Sequence, residues 1–190
     1  WQSWKIKPSR IILGYKVVFI IYKNGKEEGW EKVWGLYESS FPNYERHNYP
    51  QHLLSMEKEN FYCLGVFDST GMFIGILFYW IIKNYYYIEN FAICSHLRSK
   101  DFGKSILEEF IKYNKVIAFM DSINDEISEK RWNFYKKLGF KFNKYNFVHP
   151  AMSPFLKDHR LEILSYPKYL EKESIKEFEK FIIYRVNICK

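Results

Sequence analysis

The sequence predicts a mixed α/β fold, of the α+β kind, with a central, largely antiparallel sheet of about seven strands flanked by about five helices. Three observations point to it. Runs rich in β-branched and aromatic residues follow one another mid-chain with only short turns between them, as antiparallel neighbours require. Later in the chain, apolar residues recur instead at helical spacing, alternating with further strand-like runs. Finally, 47% of the 190 residues are hydrophobic and 21% aromatic, enough apolar surface to offset the entropy of ordering, which excludes a disordered or low-complexity chain.

Ile11 to Tyr22 reads as one strand, or two broken near Gly14, ending at the turn signal Asn24-Gly25. Trp30, Val33, Trp34, Tyr37 and Phe41 keep helical spacing, and the helix stops at Phe41-Pro42 because a residue before proline avoids helical dihedrals. A weaker helix is expected over Tyr44 to Lys58. Tyr62 to Phe67 and Met72 to Ile82 form a hairpin around Asp68-Ser69-Thr70-Gly71, and after the break Lys83-Asn84 a third strand covers Tyr85 to Cys94. Phe102, Ile106, Leu107, Phe110 and Ile111 then form a helical stripe with Glu108, Glu109 and Lys112 facing away. Val116 to Met120 is a short buried strand, and Ile127 to Leu138 a helix closed by Gly139 at a left-handed C-cap. Phe140 to Val148 and Leu161 to Tyr166 are strands either side of the loop Pro150 to Pro154, and Ile175, Phe178, Ile182 and Val186 share one face of a last helix. With no internal repeat and no linker, and at about 150 residues per domain, a single domain over 1–190 is expected, with 1–25 and 168–190 as its less certain extensions.

Lys and Arg total 29 against 22 Asp and Glu, a net charge of +7 that favours anionic partners without choosing one. The lysines are scattered, with no block of like charge, so nucleic acid is not an expected partner. Three widely spaced cysteines, Cys63, Cys94 and Cys189, suggest neither a disulfide framework nor a CxxC site, which points to the cytoplasm. The longest apolar run, Ile11 to Tyr22, falls short of the roughly 20 residues that span a bilayer, so no membrane partner is expected. The opening Trp1-Gln2-Ser3-Trp4 has no initiator Met and no A-x-A cleavage pattern, and reads as a trimmed start. The five histidines lack metal-ligand spacing, His47 and His52 are expected at the surface, and no metal is predicted. Phosphate-loop, HExxH and GxSxG motifs do not occur.

Chemistry concentrates in one segment. Tyr87-Ile88-Glu89-Asn90-Phe91-Ala92-Ile93 is a strand, Cys94 to Leu97 a tight loop, and Arg98-Ser99-Lys100-Asp101-Phe102-Gly103-Lys104-Ser105-Ile106-Leu107 a basic turn running into a helix. Orphan amides and the helix dipole would meet an anion there, and Gly103 permits close backbone approach. This segment resembles the acetyl-CoA-binding motif of the GNAT superfamily of N-acetyltransferases, an Arg/Gln-x-x-Gly-x-Gly/Ala loop after the fourth strand. Arg98, Gly103 and Leu107 match, and Asp101 replaces the first Gly. A second stretch, Arg131-Trp132-Asn133-Phe134-Tyr135-Lys136-Lys137-Leu138-Gly139-Phe140, resembles the family's late helix with its FY-x-x-x-GF ending, and the spacing between the two leaves room for one helix and one strand. The resemblance covers Trp30 to Tyr166.

It implies acetyl-CoA as cosubstrate, with the pantetheine arm along the backbone of Phe91, Ala92 and Ile93. The pyrophosphate would lie at the amides and side chains of Arg98, Ser99, Lys100, Asp101, Phe102, Gly103, Lys104 and Ser105. The implied reaction is direct acetyl transfer to a primary amine, small molecule or peptide, in a ternary complex. Such a transfer needs a neutral nitrogen and a proton for the departing thiolate. Glu89 is the expected base, through a water; its plain alternative is a salt-bridged strand carboxylate. Tyr135 is the expected acid, since the matching family tyrosine points at the sulfur; its plain alternative is a packed ring. Asp121 is expected to cap a loop, and Asp101 to cap the helix that follows it. Two rivals remain: a CoA-binding domain without turnover, suggested by Asp101, and an RNA-associated acetyltransferase. Monomer and homodimer both stay open.

Overall fold

The computed structural model describes residues 11–12, 15–151 and 158–188. Among the described residues eight strands form one sheet: β1 (Ile11–Ile12), β2 (Tyr15–Tyr22), β3 (Phe61–Asp68), β4 (Phe73–Ile82), β5 (Tyr85–Ile93), β6 (Lys115–Asp121), β7 (Lys141–His149) and β8 (His159–Tyr166). Their order is β1-β2-β3-β4-β5-β6-β8-β7, and β5–β6 is the parallel pair in an otherwise antiparallel sheet. The count exceeds the expected seven because the first run is divided into β1 and β2. The inversion β8-β7 puts the later strand inside, a choice that strand periodicity does not encode.

Among the described residues five α-helices cover the sheet: α1 (Trp30–Ser40), α2 (Tyr49–Met56), α3 (Phe102–Ile111), α4 (Glu126–Lys137) and α5 (Lys172–Ile188). On one face Trp30, Val33 and Tyr37 of α1, Met56 of α2 and Ile175, Phe178, Ile182 and Val186 of α5 pack with Phe78, Trp80 and Tyr87 of the sheet. On the other, Leu107 and Ile111 of α3 and Tyr135 and Leu138, at and just after the end of α4, pack with Leu77, Tyr79 and Ile88. Both motif helices therefore lie on the second face, while α5 shares the first with α1 and α2.

Two expectations are corrected here. The second helix starts at Tyr49, not Tyr44, because Asn48 and Gln51 close a capping box and Pro50 sits in the first turn. His47 and His52 are buried rather than exposed, at 1% accessibility each. The His52 ring lies among Trp30, Trp34, Tyr37, Phe61 and Phe78 at centroid distances of 5.8, 5.4, 5.2, 5.7 and 5.2 Å, so neighbouring aromatics, not metal ligands, account for its place. Cys189 and most of the loop after Ala151 lie outside the described residues.

Candidate active site

The site begins where the parallel pair comes apart. β5 and β6 are in register from Tyr85↔Lys115 to Ile88↔Ala118 and pair no further, although β5 continues to Ile93 and β6 to Asp121. From Glu89 onward β5 is bonded to β4 on one side, whereas β6 stays with β8. The wedge opens into a cavity of about 1130 Å³.

A β-bulge sits at its apex. On β4, Tyr79 faces Ile88 and Phe78 faces Asn90, which leaves Glu89 as the extra residue. Simple alternation would put Glu89 and Asn90 on opposite faces. The bulge brings both to the α1, α2 and α5 side: Asn90 opposes Phe78, and Glu89 Oε2 accepts from Trp80 Nε1 at 3.2 Å. Glu89 also forms an ion pair with Arg185, the two side chains being 6% and 2% exposed. Arg185 lies three residues after Ile182 and seven after Phe178, so the apolar stripe of α5 itself carries it to the sheet. That position on the stripe was the available sequence signal, and the sequence reading missed it. Asn90, at 4% exposure, and His149 also line the cavity and were likewise missed.

Beyond Ile93 the chain makes a short 3₁₀ turn, Ser95–Leu97, and enters α3. Arg98 Nε donates to the Ile93 carbonyl at 3.1 Å, tying the loop to the end of β5. Ser99 and Asp101 both take left-handed dihedrals, at φ 60° and 58°. Asp101 is the N-cap residue but its side chain accepts no capping bond, contrary to the expected role; it holds the backbone shape that glycine adopts most readily. The helical bond from Ser105 N–H to the Asp101 carbonyl leaves earlier first-turn amides, Gly103 and Lys104 among them, with no helical acceptor. At Gly103 a Cβ would only touch Ile93 and Phe91, at 3.5 and 3.8 Å, so packing does not demand the glycine. Its missing side chain leaves the amide surface open to the cavity.

The far walls come from α4 and from the loop after α1. Tyr135 is buried between Phe134 and Phe140, with ring centroids at 5.4 and 5.1 Å, and burial raises its phenol above the usual value, so it stays protonated at neutral pH. Glu45, half-buried, is pushed up by burial and then by the Asp121 carboxylate, against the pull of Arg131. Asp121 pairs with Arg131 at 2.8 Å; the capping expected of it falls to Asp125, which closes a box with Ser128 at the start of α4.

The three-dimensional comparison decides the architecture. A GNAT-family protein from Bacteroides thetaiotaomicron, described as an acetyltransferase, superposes with a TM-score of 0.77 over 87% of this chain and 94% of its own, at 21% identity. The chain has the GNAT fold. The same fold relates it to spermidine N-acetyltransferase from Vibrio cholerae, solved with CoA and spermine (TM-score 0.57, 12% identity, 78% and 94% covered). It also relates it to the ribosomal-protein-S18-alanine N-acetyltransferase of Escherichia coli (TM-score 0.54, 12% identity, 83% and 97% covered). No family model and no curated protein matches the sequence.

Within this GNAT fold, the cavity wall gathers Glu89, Phe91, Ala92, Ile93 and Tyr135, and from the loop and α3 Arg98, Ser99, Asp101, Gly103 and Lys104. Three candidates lie off that wall. Lys100 is exposed, the Phe102 ring is buried against Ile93, Leu97 and Ile106, and the Ser105 amide is already used by Asp101. Among the described residues no helix is long and apolar enough to cross a membrane, and no three His, Cys, Asp or Glu side chains cluster as metal ligands.

Proposed function

We propose that this protein transfers an acetyl group from acetyl-CoA to a primary amine. The observation that carries the proposal is the wedge between β5 and β6, whose one-sided strand edge at 89–93 leads directly into the first-turn amides of α3. An extended amide-containing arm fits such an edge as an added strand would, and a pyrophosphate fits the helix start. The open surface at Gly103 and the side chains of Arg98 and Lys104 suit the same group. Acetyl-CoA supplies the activated thioester.

In this reading Glu89, fixed by Trp80 and Arg185, takes a proton from the amine through a water, and Tyr135 holds a proton for the leaving sulfur. The acceptor enters from the side of Phe41, Glu45 and Asp121, where carboxylates face the cavity, and a primary amine arriving as a cation suits them. A cytoplasmic setting belongs to the proposal, supported by the free thiols of Cys63 and Cys94.

Thermal melting with acetyl-CoA tests the cosubstrate: binding to the folded state alone stabilises by about 2.7 kcal/mol at 100 times the dissociation constant. No shift at millimolar acetyl-CoA would overturn the assignment. For the chemistry, Tyr135→Phe is expected to slow turnover by roughly 100- to 10,000-fold with acetyl-CoA affinity unchanged. Wild-type turnover, measured where chemistry limits the rate, would leave Tyr135 a packing residue.

A further inference from the structure

The bulge delivers to the acceptor side of the cavity a group that the transferase reading does not yet use. Asn90 is 4% exposed, and among the described residues its Oδ1 is buried without a hydrogen-bond partner. A buried acceptor left in that state is destabilising, and native structures satisfy nearly all of them. Nothing about the strand requires an amide here: Ala92, the next residue of β5 on this face, is apolar, and the cross-strand partner Phe78 is packed among Tyr37, His52 and Phe61. A leucine would suit those neighbours at least as well. The cost is therefore retained at a cavity wall, one residue from Glu89 and at the point where β5 leaves β6.

We propose that Asn90 Oδ1 is the hydrogen-bond acceptor for an N–H of the incoming amine, so that Asn90 binds and orients the substrate nitrogen. The proposal rests on the transferase reading and deepens it. A carbonyl oxygen accepts and cannot donate, so its ligand must present an N–H or O–H. Two candidates exist in that reading: the amine and the amides of the pantetheine arm. The arm is expected along the backbone edge of β5, whereas the Asn90 side chain stands on the face shared with Phe78, toward α1, α2 and the wall containing Phe41 and Glu45. The amine is the occupant that this face suits. A neutral primary amine that donates one N–H to Oδ1 has its rotation about the C–N bond restricted, and its lone pair is left for the acetyl carbon. Asn90 would thereby favour nitrogen with a hydrogen to donate, and quaternary ammonium ions, which carry no N–H, should neither bind there nor compete.

The test reads the Asn90 side-chain amide by NMR in nitrogen-15-labelled protein, assigned by the resonance lost in Asn90→Leu, with and without CoA. The probes are n-butylamine, 1,4-diaminobutane and glycylglycine, with tetramethylammonium as control. A saturable shift of the Asn90 resonance with at least one primary amine, and none with tetramethylammonium, is expected. No shift with any of the three overturns the proposal, as does a shift on adding CoA alone that no amine alters, which would assign Oδ1 to the pantetheine arm. The amides of Gly103 and Lys104 report separately on CoA: if they stay still, the transferase reading fails, and the amine titration without CoA still decides the role of Asn90. The unliganded Asn90→Leu and Asn90→Ala proteins distinguish a structural role. Asn90→Leu should melt at or above the wild-type temperature, and loss of folding in both variants would mean that the amide serves the core.

Discussion

The two halves of the cavity are built differently. The half formed by the end of β5, the loop and α3 is local: a continuous stretch from Phe91 to Lys104 supplies an open strand edge, two left-handed residues, first-turn amides and the cations Arg98 and Lys104. The opposite half is assembled from remote parts of the chain. The loop after α1 brings Glu45, β6 brings Asp121, the bulge brings Glu89 and Asn90, and α5 brings Arg185. Anion recognition can be made from backbone and a few lysines or arginines, so a short motif encodes it. A pocket for an amine needs buried polar groups balanced against one another, and that balance exists only after packing. The first half should tolerate perturbation as a loop does, and the second should fail as a core does.

The largest effect is expected at the buried ion pair. Arg185→Met leaves the Glu89 carboxylate without its cation in a site almost closed to water, and breaking such a pair costs about 3–5 kcal/mol. Combining it with Glu89→Gln, which keeps an acceptor for Trp80, should recover most of that loss. Urea unfolding of the two singles and the double measures the coupling. If Arg185→Met unfolds like wild type, α5 is an appendage and the second half is not core.

Next comes acid. Burial, then the nearby Arg185 charge, lowers His52 to about 3, and the same two causes lower His47 as well. The unfolded rings protonate near 6.5 while the folded ones do not, so their contribution is fully present above pH 6.5 and is lost as pH falls below it. At pH 5.5 the loss is about 1.4 kcal/mol for each ring. The stability lost between pH 7.5 and 5.5 should be smaller by about 1.4 kcal/mol in His52→Phe, because that ring is gone. An unchanged loss would mean that these rings titrate alike in both states.

A smaller effect should connect the halves through β4. At Gly75 a Cβ would stand 2.4 Å from the carbonyl oxygen of Ala92, a backbone clash that only a shift of β5 relieves. Gly75→Ala should cost roughly 1–3 kcal/mol as overpacking does. Because Ala92 lies on the open edge, acetyl-CoA affinity should drop about tenfold, or about 1.4 kcal/mol by calorimetry. Unaltered affinity would show that the arm does not use the edge at Ala92.

How much of this was legible in sequence follows the same division. Strand and helix periodicity anticipates the mixed fold, and the two motif stretches place Arg98, Gly103 and Tyr135 around one cavity because their geometry is set within a few residues of each. The strand inversion β8-β7, the burial of His47 and His52 and the Glu89–Arg185 pair depend on contacts between distant segments, which no local pattern carries. Glu89 illustrates the boundary. Its strand was evident, but the bulge that turns it and Asn90 to one face is a register event between β4 and β5, invisible to alternation counted along a single strand.

Asp101 should give the smallest effect on stability. Taken as a helix cap, it would make Asp101→Gly destabilising through a lost bond to the first turn. Its side chain makes no such bond, and its φ of 58° is the conformation in which glycine relieves steric cost. That relief, about 1 kcal/mol, is set against the unfolded-state entropy that glycine adds, about 0.4–1 kcal/mol, so the two nearly cancel. The melting temperature of the unliganded variant should move by no more than about 2 °C. Acetyl-CoA affinity should rise instead, by about two- to fivefold, because an exposed carboxylate on the cavity wall leaves the neighbourhood of an anion in a screened setting. Calorimetry and a thermal melt on the same preparation read both effects. A weaker complex would show that the Asp101 side chain orders the loop for its ligand, and the local half would then depend on a side-chain contact formed only on binding.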